Sequence, residues 1–264
     1  MLQSFVGGRF FGRATGSAPA RVLALHGWGR THRDFDAVLA PAAAGPADGG
    51  AGGAGPGETP DELDAIAVDL PGFGATPPPP EAWGTADYAA AVADVLDEMA
   101  PPVVVLGHSF GGLVAVQLAA ARPEAVRGLV LTGAPLRTSD DAPRRPAARF
   151  RLARALNRAG LLSDARMEEA RRRHGSADYR AAEGVMRQVL VKRLGERYDG
   201  ALAGVGCPVS LVWGDDDTAA PLAMAHAAAT RLAHAELTVE PGAGHLTPLT
   251  VPATLRRAVV ERLG

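Results

Sequence analysis

Residues 103–112 read VVVLGHSFGG, an apolar run that leads into a Gly-x-Ser-x-Gly pattern. Four consecutive apolar residues, three of them β-branched, are typical of a strand that is covered on both faces. The residues that follow, up to Pro123, repeat apolar side chains at helical spacing. Strand, sharp turn and helix in this order place Ser109 on the turn, with its hydroxyl above the edge of a sheet. We name residues 107–111 the nucleophile turn, and we interpret Ser109 as a nucleophile.

Further apolar runs of the same character indicate the other strands of a mostly parallel sheet. The predicted strands are Val22–Leu25, Ala65–Val68, Val103–Leu106, Leu129–Leu131, Val209–Trp213 and Leu237–Val239. Amphipathic patterns between them predict helices, at Ala86–Met99, Gly112–Arg122, Pro221–Leu232 and Pro252–Leu263. Alternation of strands and helices is typical of a doubly wound sheet, so the expected fold class is α/β.

The N-terminal residues predict an antiparallel hairpin. Two short segments, around Ser4–Val6 and Arg9–Ala14, flank a pair of glycines at positions 7 and 8. Paired glycines readily adopt the positive φ angles of tight turns. Further along, the Ala-, Gly- and Pro-rich stretch Pro41–Pro60 predicts a mobile surface loop, because its composition buries little apolar surface.

Residues 137–197 break the strand–helix rhythm and predict a small inserted helical cap, with residues 1–136 and 198–264 forming the core. Helical patterns cover Ala147–Arg158, Ala165–His174 and Tyr179–Leu194, and no strand is predicted. This segment has 16 Lys and Arg against 8 Asp and Glu, which leaves 11 against 21 elsewhere. Two interpretations stay open: solvated helix faces with ion pairs to the acidic core, or a cap that attracts an anionic substrate.

Composition excludes several classes of protein. A net charge of -2 provides no positive field for nucleic acid or an anionic membrane surface. No apolar run approaches the roughly 18 residues of a membrane span, and the N-terminus does not resemble a secretory signal. The single cysteine, Cys207, forms no internal disulfide. We therefore expect a cytoplasmic protein, with neither nucleic acid nor a membrane as partner.

A serine nucleophile needs a base and a carboxylate that orients the base. His245 is the best base among seven histidines, because it ends a glycine-rich loop after the last predicted strand. We name residues 240–245 the histidine loop. The other histidines are expected to pack, to form hydrogen bonds or to face solvent; they are His26, His32, His108, His174, His226 and His234.

Three adjacent carboxylates, Asp215, Asp216 and Asp217, follow the strand at 209–213 and provide the candidate acid. Chain order is then serine, aspartate, histidine, the order found in α/β-hydrolases. The strand end at 131–135 carries no carboxylate and is excluded as the source of the acid. Mutual repulsion prevents all three aspartates from facing one imidazole, but spacing alone does not choose among them.

Residues 23–29, LALHGWG, form an apolar strand that ends in a glycine-flanked turn. We name residues 26–29 the oxyanion turn, since such a turn can aim a backbone amide at an oxyanion. The expected donors are the N–H groups of Trp28 and of Phe110, which follows the nucleophile. The alternative interpretation is a simple strand-end turn.

Together these segments resemble the α/β-hydrolase superfamily, specifically its small capped serine esterases, lactonases and carbon–carbon-bond hydrolases. The likeness covers nearly the whole chain, through HGWG at 26–29, DLPGFG at 69–74, GHSFG at 107–111, GDDDTAAP at 214–221 and GAGH at 242–245. The resemblance selects Asp217 as the acid, because the family's aspartate lies three residues after the glycine and four before the proline. Serine at position 109 argues against the dehalogenase and epoxide hydrolase branches, which use a carboxylate nucleophile.

The expected function is hydrolysis of an ester-like bond in a small molecule through an acyl-enzyme intermediate, without a metal or an organic cofactor. Ser109, His245 and Asp217 would form the catalytic triad. Two alternatives stay open: a carbon–carbon-bond hydrolase or cofactorless peroxidase-like enzyme with the same triad, and a non-catalytic ligand-binding receptor on the same fold.

Overall fold

A computed structural model describes residues 1–40, 62–99, 101–139, 163, 166 and 177–264 of the chain. Its centre is one sheet of eight strands. The strands are β1 Gln3–Phe5, β2 Phe10–Thr15, β3 Val22–Leu25, β4 Ala65–Asp69, β5 Val103–His108, β6 Val126–Thr132, β7 Val209–Gly214 and β8 Ala235–Glu240. All six strands predicted from apolar runs are present, and most extend a few residues beyond the predicted bounds.

The strand order across the sheet is β1-β2-β4-β3-β5-β6-β7-β8. β1 and β2 form the predicted antiparallel hairpin, and the turn between them has positive φ at Val6, Gly7 and Gly8. β2 also pairs antiparallel with β4, whereas every pair from β4 to β8 is parallel. The mostly parallel α/β sheet predicted from the sequence is therefore confirmed.

Helices cover both faces of the sheet, which explains the unbroken apolar runs. In β5, Val103 and Val105 belong to one buried cluster, while Val104 and Leu106 belong to the other. This is the two-residue alternation of a strand with a core on each side. The described helices are α1 Asp36–Leu39, α2 Thr85–Asp97, α3 Phe110–Ala121, α4 Ala177–Ala181, α5 Gly184–Arg193, α6 Asp199–Gly204, α7 Leu222–Ala229, α8 Thr247–Thr250 and α9 Pro252–Leu263.

The single helix predicted at Tyr179–Leu194 is wrong, because the structure has two helices there. α4 ends at Ala181, Glu183 is extended, and α5 begins at Gly184 with a φ of 50°. A positive φ interrupts a right-handed helix and is most easily adopted by glycine. The helical pattern Ala147–Arg158 and the loop Pro41–Pro60 lie outside the described residues, as does Ala165–His174 apart from Arg166.

Among the described residues, no helix has the length and apolar character needed to cross a bilayer.

Leu106 tests the packing of the central strand, because its side chain is fully buried in β5. Leu106→Ala should lower the free energy of unfolding by about 2–5 kcal/mol, the cost of removing a large buried side chain and leaving a cavity. Leu2→Ala is the control, because Leu2 is 50% exposed, and it should change stability by less than about 0.5 kcal/mol. Urea denaturation of both variants measures the difference. Equal stabilities would contradict the described core.

Candidate active site

The nucleophile turn has a strained backbone that projects the Ser109 side chain from the end of β5. Ser109 has a φ of 51° and a ψ of −114°, a combination that side-chain-bearing residues rarely adopt. The turn also brings chains very close together: a Cβ on Gly111 would lie 2.0 Å from the Leu25 carbonyl oxygen. Glycine is therefore required at position 111 for α3 to begin so close to β3.

His245 lies between Ser109 and Asp217 and contacts both. Its Nε2 is 2.9 Å from the Ser109 Oγ, and its Nδ1 is 2.8 Å from Asp217 Oδ2. Since an ionised carboxylate only accepts hydrogen bonds, Nδ1 carries the proton, and Nε2 accepts from the serine hydroxyl. The structure thus brings together three residues from three separate loops, as the sequence predicted.

The Asp217 side chain is almost completely buried and its carboxylate is fixed by the backbone that follows it. Oδ1 accepts hydrogen bonds of 2.8 Å from the N–H groups of both Ala219 and Ala220, which leaves Oδ2 for His245. The side chain is 1% exposed, against 27% for His245. The carboxylate is therefore held in one orientation.

The two neighbouring aspartates have other positions. Asp215 Oδ1 accepts a hydrogen bond of 2.7 Å from the Gly242 N–H, and the Asp216 N–H donates to the Ala243 carbonyl oxygen at 3.1 Å. The Asp216 residue is exposed. These two bonds join the end of β7 to the histidine loop. Residues 215–217, which we name the aspartate segment, therefore also fix the loop that carries His245. This role of Asp215 is not predicted by the sequence.

His26 holds the oxyanion turn in place. Its Nδ1–H donates to the Gly27 carbonyl oxygen at 2.7 Å, and its Nε2 accepts from the Leu70 N–H at 2.9 Å. The His26 carbonyl oxygen also accepts from the Gly111 N–H at 3.0 Å, which connects this turn to the nucleophile turn. Both ring nitrogens are therefore engaged, which confirms the expectation that His26 forms structural hydrogen bonds.

The two predicted oxyanion donors lie at neighbouring positions on these turns. The rings of Trp28 and Phe110 pack edge to face with centroids 5.4 Å apart. Within the described ranges, neither backbone N–H donates a hydrogen bond to a protein acceptor. Both N–H groups are thus available to an oxygen atom of a bound molecule.

Asp69, at the end of β4, stabilises the loop beside the oxyanion turn. Its carboxylate accepts hydrogen bonds from the backbone N–H and the Nδ1–H of His32, and from the Ala75 N–H. Burial alone would raise the pKa of this carboxyl, but the hydrogen bonds outweigh it and lower the pKa below its usual range. Asp69 therefore remains a charged anchor within the core.

Gly133, just after β6, is a further close neighbour that the sequence analysis missed. It has a φ of 55°, and a Cβ there would lie 3.1 Å from the His245 ring and 3.3 Å from Asp217 Oδ2. In the sequence, this strand end is excluded as the source of the acid, and no other role is predicted for it. A glycine two residues after the predicted strand Leu129–Leu131 was the available signal, because parallel strands end at the same edge of a sheet.

A cavity of about 390 Å³ opens over Ser109 and His245. Its walls carry both signs of charge, from Arg30, Arg137, Arg193, Asp178 and Glu196, together with apolar side chains. Arg30 forms a bidentate ion pair with Asp34, at 2.7 and 2.6 Å.

In the described ranges, no group of three or more His, Cys, Asp or Glu side chains is arranged to hold a metal ion.

Two buried histidines make the stability of the fold depend on pH. Burial lowers the pKa of His26 and of His108 from 6.5 to about 4. In the unfolded chain both imidazoles bind a proton near pH 6.5, whereas in the folded protein they bind one only near pH 4. The free energy of unfolding is therefore highest above pH 6.5 and falls as the pH decreases towards 4. The expected loss between pH 7 and pH 5 is about 2 kcal/mol for each histidine.

His26→Gln should reduce this loss of stability on acidification by about 2 kcal/mol, because glutamine does not titrate. His226→Gln is the matched control, since His226 is exposed. Urea denaturation at pH 7 and pH 5 provides the comparison. If His26→Gln and wild type lose equal stability, His26 is not buried as a neutral imidazole.

Comparison with known proteins agrees with this geometry. A model of the alpha/beta hydrolase family matches residues 22–258. The chain is 35% identical over 217 residues to a pimeloyl-(acyl-carrier protein) methyl ester esterase of Aromatoleum aromaticum, which covers 69% of this chain and 80% of that protein. It is 33% identical over 124 residues to the protein of the same name from Neisseria meningitidis serogroup B, which covers 47% of this chain but only 40% of that relative.

A solved structure shares the fold over the full length. The hydrolase from Pseudomonas aeruginosa PA01 superposes with a TM-score of 0.67 and 21% sequence identity, which covers 100% of this chain and 98% of that one. At this identity the likeness concerns the fold alone. The family model, by contrast, spans most of the sequence, including every element of the site described above. The chain belongs to the alpha/beta hydrolase family.

Proposed function

We propose that this protein is a serine hydrolase that cleaves an ester-like bond of a small molecule through an acyl-enzyme intermediate. One observation carries the proposal: the continuous hydrogen-bonded chain from Asp217 through His245 to the Ser109 Oγ, with distances of 2.8 and 2.9 Å. Transfer of the hydroxyl proton to an imidazole that a carboxylate holds in orientation converts a weak hydroxyl nucleophile into an effective one.

In the first step, the Ser109 oxygen attacks the substrate carbonyl while His245 Nε2 takes the hydroxyl proton. The carbonyl oxygen becomes negatively charged and accepts hydrogen bonds from the N–H groups of Trp28 and Phe110. His245 then gives its proton to the leaving alcohol, the carbon–oxygen bond breaks, and the acyl group remains on Ser109. Asp217 stabilises the imidazolium while it exists and keeps the ring in the correct orientation.

In the second step, water repeats the same chemistry. His245 takes a proton from the water molecule, which attacks the acyl carbonyl in the place the alcohol occupied. The same two N–H groups bind the second oxyanion, and return of the proton to Ser109 releases the carboxylic acid. One water molecule is consumed, and no oxidant or reductant is required.

The described surroundings of the cavity support a small ester as substrate. Apolar side chains, among them Leu113, Leu190 and Leu194, line the cavity beside Ser109. A volume of about 390 Å³ lies at the lower end of the range for small-molecule sites. The similarity to the pimeloyl-(acyl-carrier protein) methyl ester esterases also favours a carboxylic ester as the bond that is cleaved.

We also propose that residues 137–197 form a cap over this cavity, inserted between β6 and β7. The Tyr198 N–H donates to the Arg137 carbonyl oxygen at 2.8 Å, and Ser139 donates to Asp199, so the two ends of the insertion meet. Lys192 in α5 pairs with Asp87 in α2 at 3.1 Å. That pair supports the interpretation in which basic cap residues form ion pairs with an acidic core.

Ser109→Ala tests the nucleophile. The variant should lose at least about 10³-fold in kcat for p-nitrophenyl acetate, because it lacks the hydroxyl that forms the acyl-enzyme. A fluorophosphonate should add to Ser109 of the wild type, detected by mass spectrometry, and should not add to the variant. Ser17→Ala is the control, because Ser17 is exposed and lies before the N-terminal end of β3, whereas Ser109 lies at the C-terminal ends of the strands.

Undiminished esterase activity in Ser109→Ala would reject the assignment of the nucleophile. A panel of esters, lactones and diketones distinguishes the esterase from a carbon–carbon-bond hydrolase with the same residues. Absence of both turnover and labelling in the wild type would favour a ligand-binding receptor.

Gly133→Ala tests the alignment of His245 with Asp217. Its new methyl group would crowd the His245 ring, so kcat should fall about tenfold. Gly184→Ala is the matched control: Gly184 also has a positive φ, 50°, but a Cβ there meets no atom within 4 Å. Both variants should lose about 1–2 kcal/mol of stability from the left-handed backbone, and only Gly133→Ala should lose activity. Equal kcat values would show that the methyl group is accommodated without displacing the imidazole.

A further inference from the structure

His108 is the residue in the nucleophile turn for which the proposed mechanism has no use. Its side chain is buried at the end of β5, one residue before Ser109. Burying a charged or polar side chain costs free energy unless the side chain forms hydrogen bonds. The hydrogen-bond partners of the two His108 ring nitrogens therefore have to be identified.

Among the described residues, only one of these nitrogens has a hydrogen-bond partner. His108 Nε2 lies 2.9 Å from the backbone carbonyl oxygen of His245. A carbonyl oxygen cannot donate, so Nε2 carries the proton and donates it. Nδ1 is buried and has no partner in the part of the chain that the structure describes, which leaves it unprotonated, because a second N–H would be buried without an acceptor. The imidazole is therefore neutral with a single defined tautomer, in agreement with its lowered pKa of about 4.

The ring of His108 also contacts the oxyanion turn. A Cβ on Gly27 would lie 2.9 Å from His108 Nδ1 and 3.3 Å from the Ser109 Cβ. The absence of a side chain at position 27 thus gives the ring its place. His108 consequently touches three segments at once: it belongs to the nucleophile turn, packs against the oxyanion turn, and donates to the histidine loop.

We infer that His108 is a positioning residue, which fixes the backbone of His245 at the distance from Ser109 that proton transfer needs. The inference rests on the proposed function and deepens it. The hydrogen bond holds the carbonyl of the same residue whose imidazole bridges Ser109 and Asp217. Without it, the histidine loop is still bonded to residues 215–217 through Gly242, but its backbone has lost its bond to the nucleophile turn, and only the His245 side chain still contacts that turn, through Ser109.

The test compares two substitutions that differ in one property. His108→Met fills similar space without a donor, whereas His108→Gln provides an amide N–H at a similar distance from the backbone. We expect kcat to fall about 10- to 100-fold in the methionine variant, with KM within about twofold of wild type. The glutamine variant should recover kcat to within about threefold of wild type.

His226→Met controls for the chemical change itself, because His226 is exposed on α7, and it should keep the wild-type kcat. A wild-type kcat in His108→Met would overturn the inference, and so would a glutamine variant as slow as the methionine variant. A residue that only packs would give the opposite order, since methionine fills an apolar space better than glutamine.

A measurement on the wild type is independent of how the variants fold. Nuclear magnetic resonance of ¹⁵N-histidine-labelled protein should show His108 protonated at Nε2 and not at Nδ1, with a resonance that shifts when a fluorophosphonate modifies Ser109. Protonation at Nδ1 would overturn the inference, because Nε2 could then not donate to His245. Failure of the wild type to react with the fluorophosphonate would instead reject the proposed function, on which the inference depends.

Discussion

The whole site depends on one close approach, that of the first turn of α3 to the end of β3. The Gly111 N–H donates to the His26 carbonyl oxygen, and the absence of a Cβ at Gly111 allows the two backbones to come within contact. This approach holds Ser109 at a positive φ that serine would otherwise avoid. This conformation costs on the order of 1–3 kcal/mol, which the packed core below it offsets. The same conformation directs the hydroxyl towards His245 rather than into the sheet.

The sheet, and the positions of Ser109 and His245 at its edge, could be predicted because they depend on local patterns. Apolar runs such as 103–106 read as buried strands, and a glycine-flanked serine between strand and helix reads as a turn at the sheet edge. Asp217 was different: repulsion alone left three aspartates open, and only the resemblance to a family selected one. In the structure, the amides of Ala219 and Ala220 orient the Asp217 carboxylate, and its contact with His245, 28 positions along the chain, depends on how two separate loops pack together.

The contacts that the sequence did not reveal are those between loops. Gly133 lies beside the His245 ring, and His108 donates to the His245 carbonyl, across 137 positions of chain. Neither contact can be predicted from the residue type alone, since glycines and histidines occupy many turns. The break between α4 and α5 was missed for a related reason: the apolar periodicity continues through Gly184, and only the backbone angles, extended at Glu183 and positive φ at Gly184, separate the two helices.

The two bonds between the aspartate segment and the histidine loop have a consequence for redesign. Asp215 binds the Gly242 amide and the Asp216 amide binds the Ala243 carbonyl, so the loops after β7 and β8 are joined directly and depend on each other for their conformation. If either loop alone were exchanged for that of another hydrolase, these hydrogen bonds between the loops would be lost, and the His245 imidazole would tilt. Transplantation would therefore have to carry both loops as a unit.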